Sequence, residues 1–268
     1  MNKGYIRYLD IAGFLIRVNL LNKDGQAVSM NYIHMVDSLF KGFTIKSTGS
    51  RSGPDFIIDI EPTPPLVFLN KSKSAYVNLY NVTSNPKRII TFYSISSPQF
   101  QLILMQVLCW LLAGKGFIIH CSAIRINNQA VLFLGKQGAG KSTITSLLSD
   151  TYEVLADDSG IIMEDKGKYY FHQNISLEKN EAIIKTNKRY HIRGICFLKK
   201  ALEYNVVGLT NKKSLFEKLS FQVLGDLKNT KEIIAFLLIM VDHFNDFYSL
   251  SFAKNKNKLK PVISNEFL

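Results

Sequence analysis

Three groups of residues in this chain have types and spacings suited to handling phosphate. Gly135, Lys136, Gln137, Gly138, Ala139, Gly140, Lys141, Ser142 and Thr143 spell GKQGAGKST, which satisfies G-x-x-x-x-G-K-[ST] in full. Glycines let a backbone turn tightly and point several N–H groups at phosphate oxygens. The apolar run AVLFL precedes the loop and ITSLLSD follows it, so a strand should enter and a helix should leave. The start of that helix adds unsatisfied N–H groups and the positive end of a dipole. Lys141 is placed to reach the β- and γ-phosphates of a nucleoside triphosphate, and Ser142 to offer its hydroxyl to Mg²⁺.

Asp157 and Asp158 follow within LADDSG, shortly after the loop lysine. Adjacent residues on a strand point to opposite faces, so the two acids need not share one task. One can serve a magnesium ion, and the other can accept the proton of an attacking hydroxyl; the order of roles stays open. D-D-S-G is also good turn chemistry. His120, in FIIHCSA, ends the apolar run before the loop strand. It reads either as a satisfied core histidine or as a residue beside the γ-phosphate that handles or positions a proton. The basic stretch KTNKRYHIRG at 185–194 offers Arg189 and Arg193 to an acidic acceptor. A solvated turn before the strand GICFL is the favoured alternative.

These residues need elements to position them. Before residue 97, short β-prone runs (FLIRVNL, DFIIDIE, AYVNLYN, RIITFYSI) alternate with turn formers such as STGSRSGPD and EPTPP. The pattern predicts a β-rich N-terminal subdomain over 1–96 and a core over 97–268. Ser97 and Pro98 should open a helix that Gly114 ends. FIIHCSAIRI reads as one strand, joined by a turn at NNQ to AVLFLG as a hairpin. Strands are expected on both sides of DDSG, then over KGKYYFHQ, RGICFLKK, EYNVVGLT and DFYSLSFAKN. Helices are expected over SLFEKLSFQVLGDL and TKEIIAFLLIMVDHF. The tail KNKNKLKPVISNEFL reads as basic and loose.

The chain has 268 residues, 47% of them hydrophobic and 20% charged, which is a folded composition rather than a disordered one. The net charge of +12 suits anionic partners, nucleotides and acidic peptides among them. No aromatic-basic RNA signature or recognition-helix pattern supports a nucleic-acid partner. The three cysteines lack CxxC spacing, so neither a zinc site nor a disulfide framework is expected, and a reducing cytoplasm is the natural compartment. No signal peptide is legible, and the longest apolar runs fall short of the ~20 residues of a membrane-spanning helix.

The stretch IHCSAIRINNQAVLFLGKQGAGKSTITSLLSDTYEVLADDSGII resembles the core of the HPr kinase/phosphorylase family. There, a histidine-bearing strand, a hairpin, a phosphate loop and an Ala-Asp-Asp segment occur in this order. The resemblance covers residues 117–163. It implies an α/β (α+β) fold: a P-loop core like that of phosphoenolpyruvate carboxykinase, with the β-rich N-terminal subdomain attached. It also implies ATP and Mg²⁺ as cofactors and a serine hydroxyl as acceptor. Carried over, Gly135 to Thr143 would bind the triphosphate, Lys141 would assist transfer, Ser142 and Asp158 would serve Mg²⁺, Asp157 would be the base, and His120 would sit close by. The glycine-rich signature that follows the acids in the bifunctional bacterial enzyme is not visible; EDKGKYYFHQNISLEKNE stands in its place. The compact form is more similar to stand-alone kinases of this family. Some of these modify a serine in a ribosomally made peptide, such as a lasso-peptide precursor, and others act on free serine. A nucleotide-binding switch without an acceptor is the reading outside enzymes.

Overall fold

The computed structural model describes residues 5–21, 30–46, 51–62, 81–93, 95–176, 178, 182–225 and 230–268. The chain divides into two compact units, Met1–Leu111 and Leu112–Leu268. Six helices and two mixed sheets are present among the described residues.

In the first unit, strands β1 (Tyr5–Ile11) and β2 (Phe14–Leu20) form a hairpin through Ala12 and Gly13, both at positive φ. Helix α1 (Met30–Leu39) leads to β3 (Thr44–Ile45) and β4 (Phe56–Glu61), and β5 (Asn81–Asn85) and β6 (Arg88–Phe92) follow. The strand order is β3-β1-β2-β4-β6-β5. Helix α2 (Ser97–Leu112) begins where the Ser-Pro signal placed it; its Phe100 meets Phe40, and its Trp110 meets Phe56. Neither β1 nor α1 was expected, and the expected strand AYVNLYN lies outside the described residues except for Asn81.

The second unit is built on a ten-stranded sheet. Its elements are β7 (Gly116–His120), β8 (Ser122–Ile126), β9 (Gln129–Leu134), α3 (Lys141–Leu148), β10 (Glu153–Ala156), β11 (Ser159–Asp165), β12 (Lys168–Gln173), β13 (Arg189–Lys200), β14 (Asn205–Gly208), α4 (Lys212–Ser220), β15 (Val223–Leu224), α5 (Thr230–His243), β16 (Phe247–Phe252) and α6 (Lys256–Phe267). The path runs β10-β8-β9-β13-β12-β11-β7-β15, with β16 on β13 and β14 on β16. Strand alternation feeds two cores. Ala130, Leu132 and Leu134 of β9 pack with Phe236, Leu237 and Met240 of α5. Val131 and Phe133 pack with Ile144 and Leu148 of α3 and with Leu259, Ile263 and Phe267 of α6.

Four sequence expectations need correction. FIIHCSAIRI is not one strand: β7 ladders with β11 and β15, β8 ladders with β9 and β10, and Cys121 lies between them. An apolar run shows no sign of the partner exchange, because both halves are buried alike. Arg189 and Arg193 belong to the twelve-residue strand β13 rather than to a turn. The helix SLFEKLSFQVLGDL ends at Ser220, and Val223–Leu224 pairs with β7 instead. The tail is a helix, because Leu259, Ile263 and Phe267 recur every four residues and all three are buried. Asn255 caps that helix, and Asp150, just beyond α3, pairs with its Lys256 and with Lys260 at 2.9 Å.

Candidate functional site

Strands β9, β13 and β16 are mutually parallel. Their carboxyl ends therefore meet at one edge, the usual location of ligand sites in parallel sheets. Leu134 ends β9 and starts the loop, Lys200 ends β13, and Lys254 follows β16 by two residues.

The glycines of the loop are required by its geometry. A Cβ at Gly135 would lie 2.7 Å from the Ala139 Cβ. Gly140 has φ +105°, and a Cβ there would come within 2.8 Å of the Phe252 ring. Gly140 also serves as the N-cap of α3, with no side chain capping the first turn. Behind the loop, α3 buries Lys141, Ile144, Thr145 and Leu148, one apolar-facing stripe that aims the helix start at the strand ends. Lys141 is 7% exposed, and its ammonium donates to the Gly135 carbonyl at 2.5 Å. The Ser122 hydroxyl donates to the Lys141 carbonyl at 3.2 Å.

The histidine and the acids owe their positions to a shared interruption. The chain passes from β7 to β8 at Cys121, and from β10 to β11 at Asp157–Asp158. The register is kept across the gap: His120 opposes Ser159, and Ala123 opposes Ala156. Between those pairs the Asp158 carbonyl accepts two bonds, from the Cys121 N–H at 3.1 Å and from His120 Nδ1 at 2.7 Å. A carbonyl can only accept, so Nδ1 carries the proton and Nε2 is the basic nitrogen of the neutral ring. The Asp158 carboxylate stands 3.8 Å from the same Nδ1. Burial pushes the Cys121 thiol up out of the reactive range.

Asp157 is 6% exposed, whereas the Asp158 side chain is 33% exposed. The Asp157 N–H donates to Glu178 Oε2 at 2.9 Å. Glu178 is itself buried and is bridged by Lys185, whose ammonium also donates to the Asn174 carbonyl at 2.9 Å. Burial and a hydrogen bond with the Asp157 side chain push the Glu178 carboxyl up to about 7; the Lys185 charge pulls the other way and is outweighed. A polar brace surrounds this pair. Asn174 Nδ2 donates to the Ser159 hydroxyl at 3.0 Å, and Gln173 Nε2 donates to the Leu155 carbonyl at 2.7 Å.

One cavity of about 250 Å³ gathers these parts. It is lined by His120, Gln137, Gly138, Gly140, Lys141, Ser142, Thr143, Asp157 and Asp158, with Lys200 and Lys254. Lys136 and Gly135 line a neighbouring cavity instead. Neither Arg189 nor Arg193 is among the lining residues; the Arg189 guanidinium lies over the Tyr170 ring and donates to Asp165 at 2.7 Å. Lys200, Lys254 and Glu178 escaped the sequence reading. The lysines sit in ordinary strand-end LKK and AKN, where only the pairing of β13 with β16 reveals their convergence. Among the described residues no cluster of three or more His, Cys, Asp or Glu could hold a metal ion by protein ligands alone. Mg²⁺ does not require one, since it keeps waters and takes one or two carboxylates plus phosphate oxygens. The hydroxyl of Ser142 and the carboxylate of Asp158 both line the cavity and are hard oxygen donors of the kind that ion takes.

A family model described as SynChlorMet cassette protein ScmC matches residues 94–222. Among solved structures, that of the HPr(Ser) kinase/phosphatase from Coxiella burnetii is similar at 11% identity and a TM-score of 0.29, covering 55% of this chain and 94% of that one. No curated protein sequence matches the chain. No helix among the described residues is long and apolar enough to cross a membrane.

Proposed function

We propose that the second unit is an ATP- and Mg²⁺-dependent kinase that transfers the γ-phosphoryl group to a serine hydroxyl of a peptide or protein. The observation that carries this reading is the convergence on one cavity of Gln137, Gly138 and Gly140 to Thr143 of the GKQGAGKST loop with two further lysines, two carboxylates and a histidine. The loop amides with Lys141, Lys200 and Lys254 answer the charge of a triphosphate, and catalysis of this kind is mostly positioning and charge neutralisation. Ser142 and Asp158 hold Mg²⁺, the more exposed of the two acids being the one suited to an ion that keeps its waters. When bound, that ion neutralises charge on the phosphate oxygens. Asp157, buried and braced by Glu178, accepts the hydroxyl proton. The serine oxygen bonds to the γ-phosphorus, the bond from that phosphorus to the bridging oxygen breaks, and ADP leaves. His120, anchored through Nδ1, positions the hydroxyl with Nε2.

In this reading residues 112–268 carry the chemistry, and the β-rich residues 1–96 belong to the first unit together with most of α2. The ScmC model names a cassette protein and its match over residues 94–222 includes His120, the loop and both acids, which is consistent with a cassette-associated protein. The resemblance to stand-alone peptide-serine kinases points to a peptide acceptor. The test is transfer from γ-labelled ATP to peptides encoded beside the gene, read by mass spectrometry. Asp157→Asn is expected to cut transfer by about 10²–10⁴-fold while nucleotide still binds. Transfer by that variant at the wild-type rate removes the base assignment. Wild-type protein that binds ATP but labels no hydroxyl acceptor is a nucleotide switch instead.

A further inference from the structure

A second cavity, of about 470 Å³, adjoins the first and shares His120 and Gln137 with it. Its remaining walls are Gly135, Lys136, Phe221 and Gln222. A space that shares His120 and Gln137 with the phosphate cavity is where an acceptor hydroxyl can approach the histidine. Phe221 is 80% exposed, so it contributes little to the core of the unit. It is nevertheless held in place. Its N–H donates to the Glu217 carbonyl, and the next N–H, that of Gln222, donates to Leu219 at 2.8 Å. The Gln222 carbonyl then accepts the main-chain N–H of His120 at 2.7 Å, and Val223 ladders with Ile119. The backbone that carries this ring is thus fixed one residue from a direct bond to the histidine. A solvent-facing aromatic on an anchored backbone beside a reacting centre offers a recognition surface.

We infer that this cavity seats the residues flanking the acceptor serine of an extended peptide, with Phe221 contacting an apolar neighbour of the serine and Lys136 pairing with an acidic one. The inference rests on the kinase reading of the adjoining site. The exposure of Lys136, Gln137 and Phe221 leaves the cavity open to solvent, which accommodates a chain running onward in both directions. A site for free serine would be closed around the amino and carboxylate groups. Hydrophobic contact of the neighbour with Phe221 contributes to binding of the peptide, and the chemistry at Asp157 is untouched by it.

The experiment offers a degenerate peptide library with a fixed central serine, together with γ-labelled ATP and Mg²⁺, to wild-type protein and to Phe221→Ser, Phe221→Leu and Lys136→Glu. Wild type is expected to enrich aromatic or aliphatic residues at one position beside the serine and an acid at another. Phe221→Ser is expected to lose the apolar enrichment and to raise KM for the preferred peptide about tenfold with kcat little changed, and Phe221→Leu to retain both. Lys136→Glu is expected to reverse the charge preference. Unaltered affinity for a fluorescent ATP analogue shows that the two Phe221 variants are folded, and an unchanged circular-dichroism spectrum shows it for Lys136→Glu. A wild-type profile without positional preference, or an unchanged profile and KM in Phe221→Ser, overturns the inference. Phosphorylation of free serine but of no library peptide overturns it and leaves the kinase reading standing. Transfer to neither acceptor overturns both.

Discussion

Replacing Glu178 by Gln tests the electrostatics behind the site. In the folded protein this carboxyl titrates near 7 rather than at its ordinary 4.5, because it is buried and hydrogen-bonded with the Asp157 side chain. Between those two values the folded chain holds a proton that the unfolded chain has released. Stability from this group is therefore complete below pH 4.5 and is lost as pH rises through 7. At 1.36 kcal/mol per pH unit, a gap of about 2.5 units gives roughly 3 kcal/mol. Gln keeps an oxygen for the Asp157 N–H and cannot titrate. Urea unfolding at half-unit steps from pH 4 to 8.5 should show the wild type losing about 3 kcal/mol relative to Glu178→Gln across the window. The difference should be flat above it. Parallel profiles for the two proteins would refute the claim that burial and Asp157 together outweigh the Lys185 ammonium.

Two further substitutions test the loop. Gly140→Ala places a methyl group against the Phe252 ring at a positive φ and should destabilise the fold by about 1–3 kcal/mol, read as a lower Tm; an unchanged Tm would show that α3 can shift without cost. Ser142→Ala should leave ATP binding without metal near the wild-type level and weaken the Mg²⁺ dependence of transfer about tenfold or more, measured as the Mg²⁺ concentration for half-maximal rate. An unshifted Mg²⁺ curve would take Ser142 out of the ion's ligands.

What was legible in the sequence was what is local. GKQGAGKST declares a strand, a tight loop and a helix start within nine residues, and the structure places β9 before it and α3 after it. The Asn127–Asn128 hairpin, with both residues at positive φ, was equally plain. Lys200 and Lys254 were not legible, because their meeting depends on β16 lying parallel to β13, a pairing that no periodicity encodes. Glu178 was hidden for a different reason. It lies outside any strand or helix, and it is drawn in by its bonds to Asp157 and Lys185 rather than by an apolar pattern. The tail helix was legible and was misread: its lysines suggested solvent, while Leu259, Ile263 and Phe267 already had helical spacing.

The interruption at Cys121 ties these observations together. An unbroken antiparallel ladder would bond alternate residues of 120–123 to those of 156–159 and would send the side chains alternately to the two faces. Breaking it for two residues on each segment keeps His120 opposite Ser159 and Ala123 opposite Ala156, with a register shift following between Ala156 and Val154. It frees the Asp158 carbonyl to take the His120 ring as well as the Cys121 amide. It also lets Asp157 and Asp158 reach the cavity at the carboxyl ends of β9, β13 and β16. The cost of the lost ladder bonds is offset by the hydrogen bonds from Glu178, Asn174 and Gln173, which brace β10 and β11 from behind. A buried polar network of this kind is tolerated only when its members are satisfied. The network that looks like a structural repair is therefore what allows the sheet to carry acids at the break between β10 and β11.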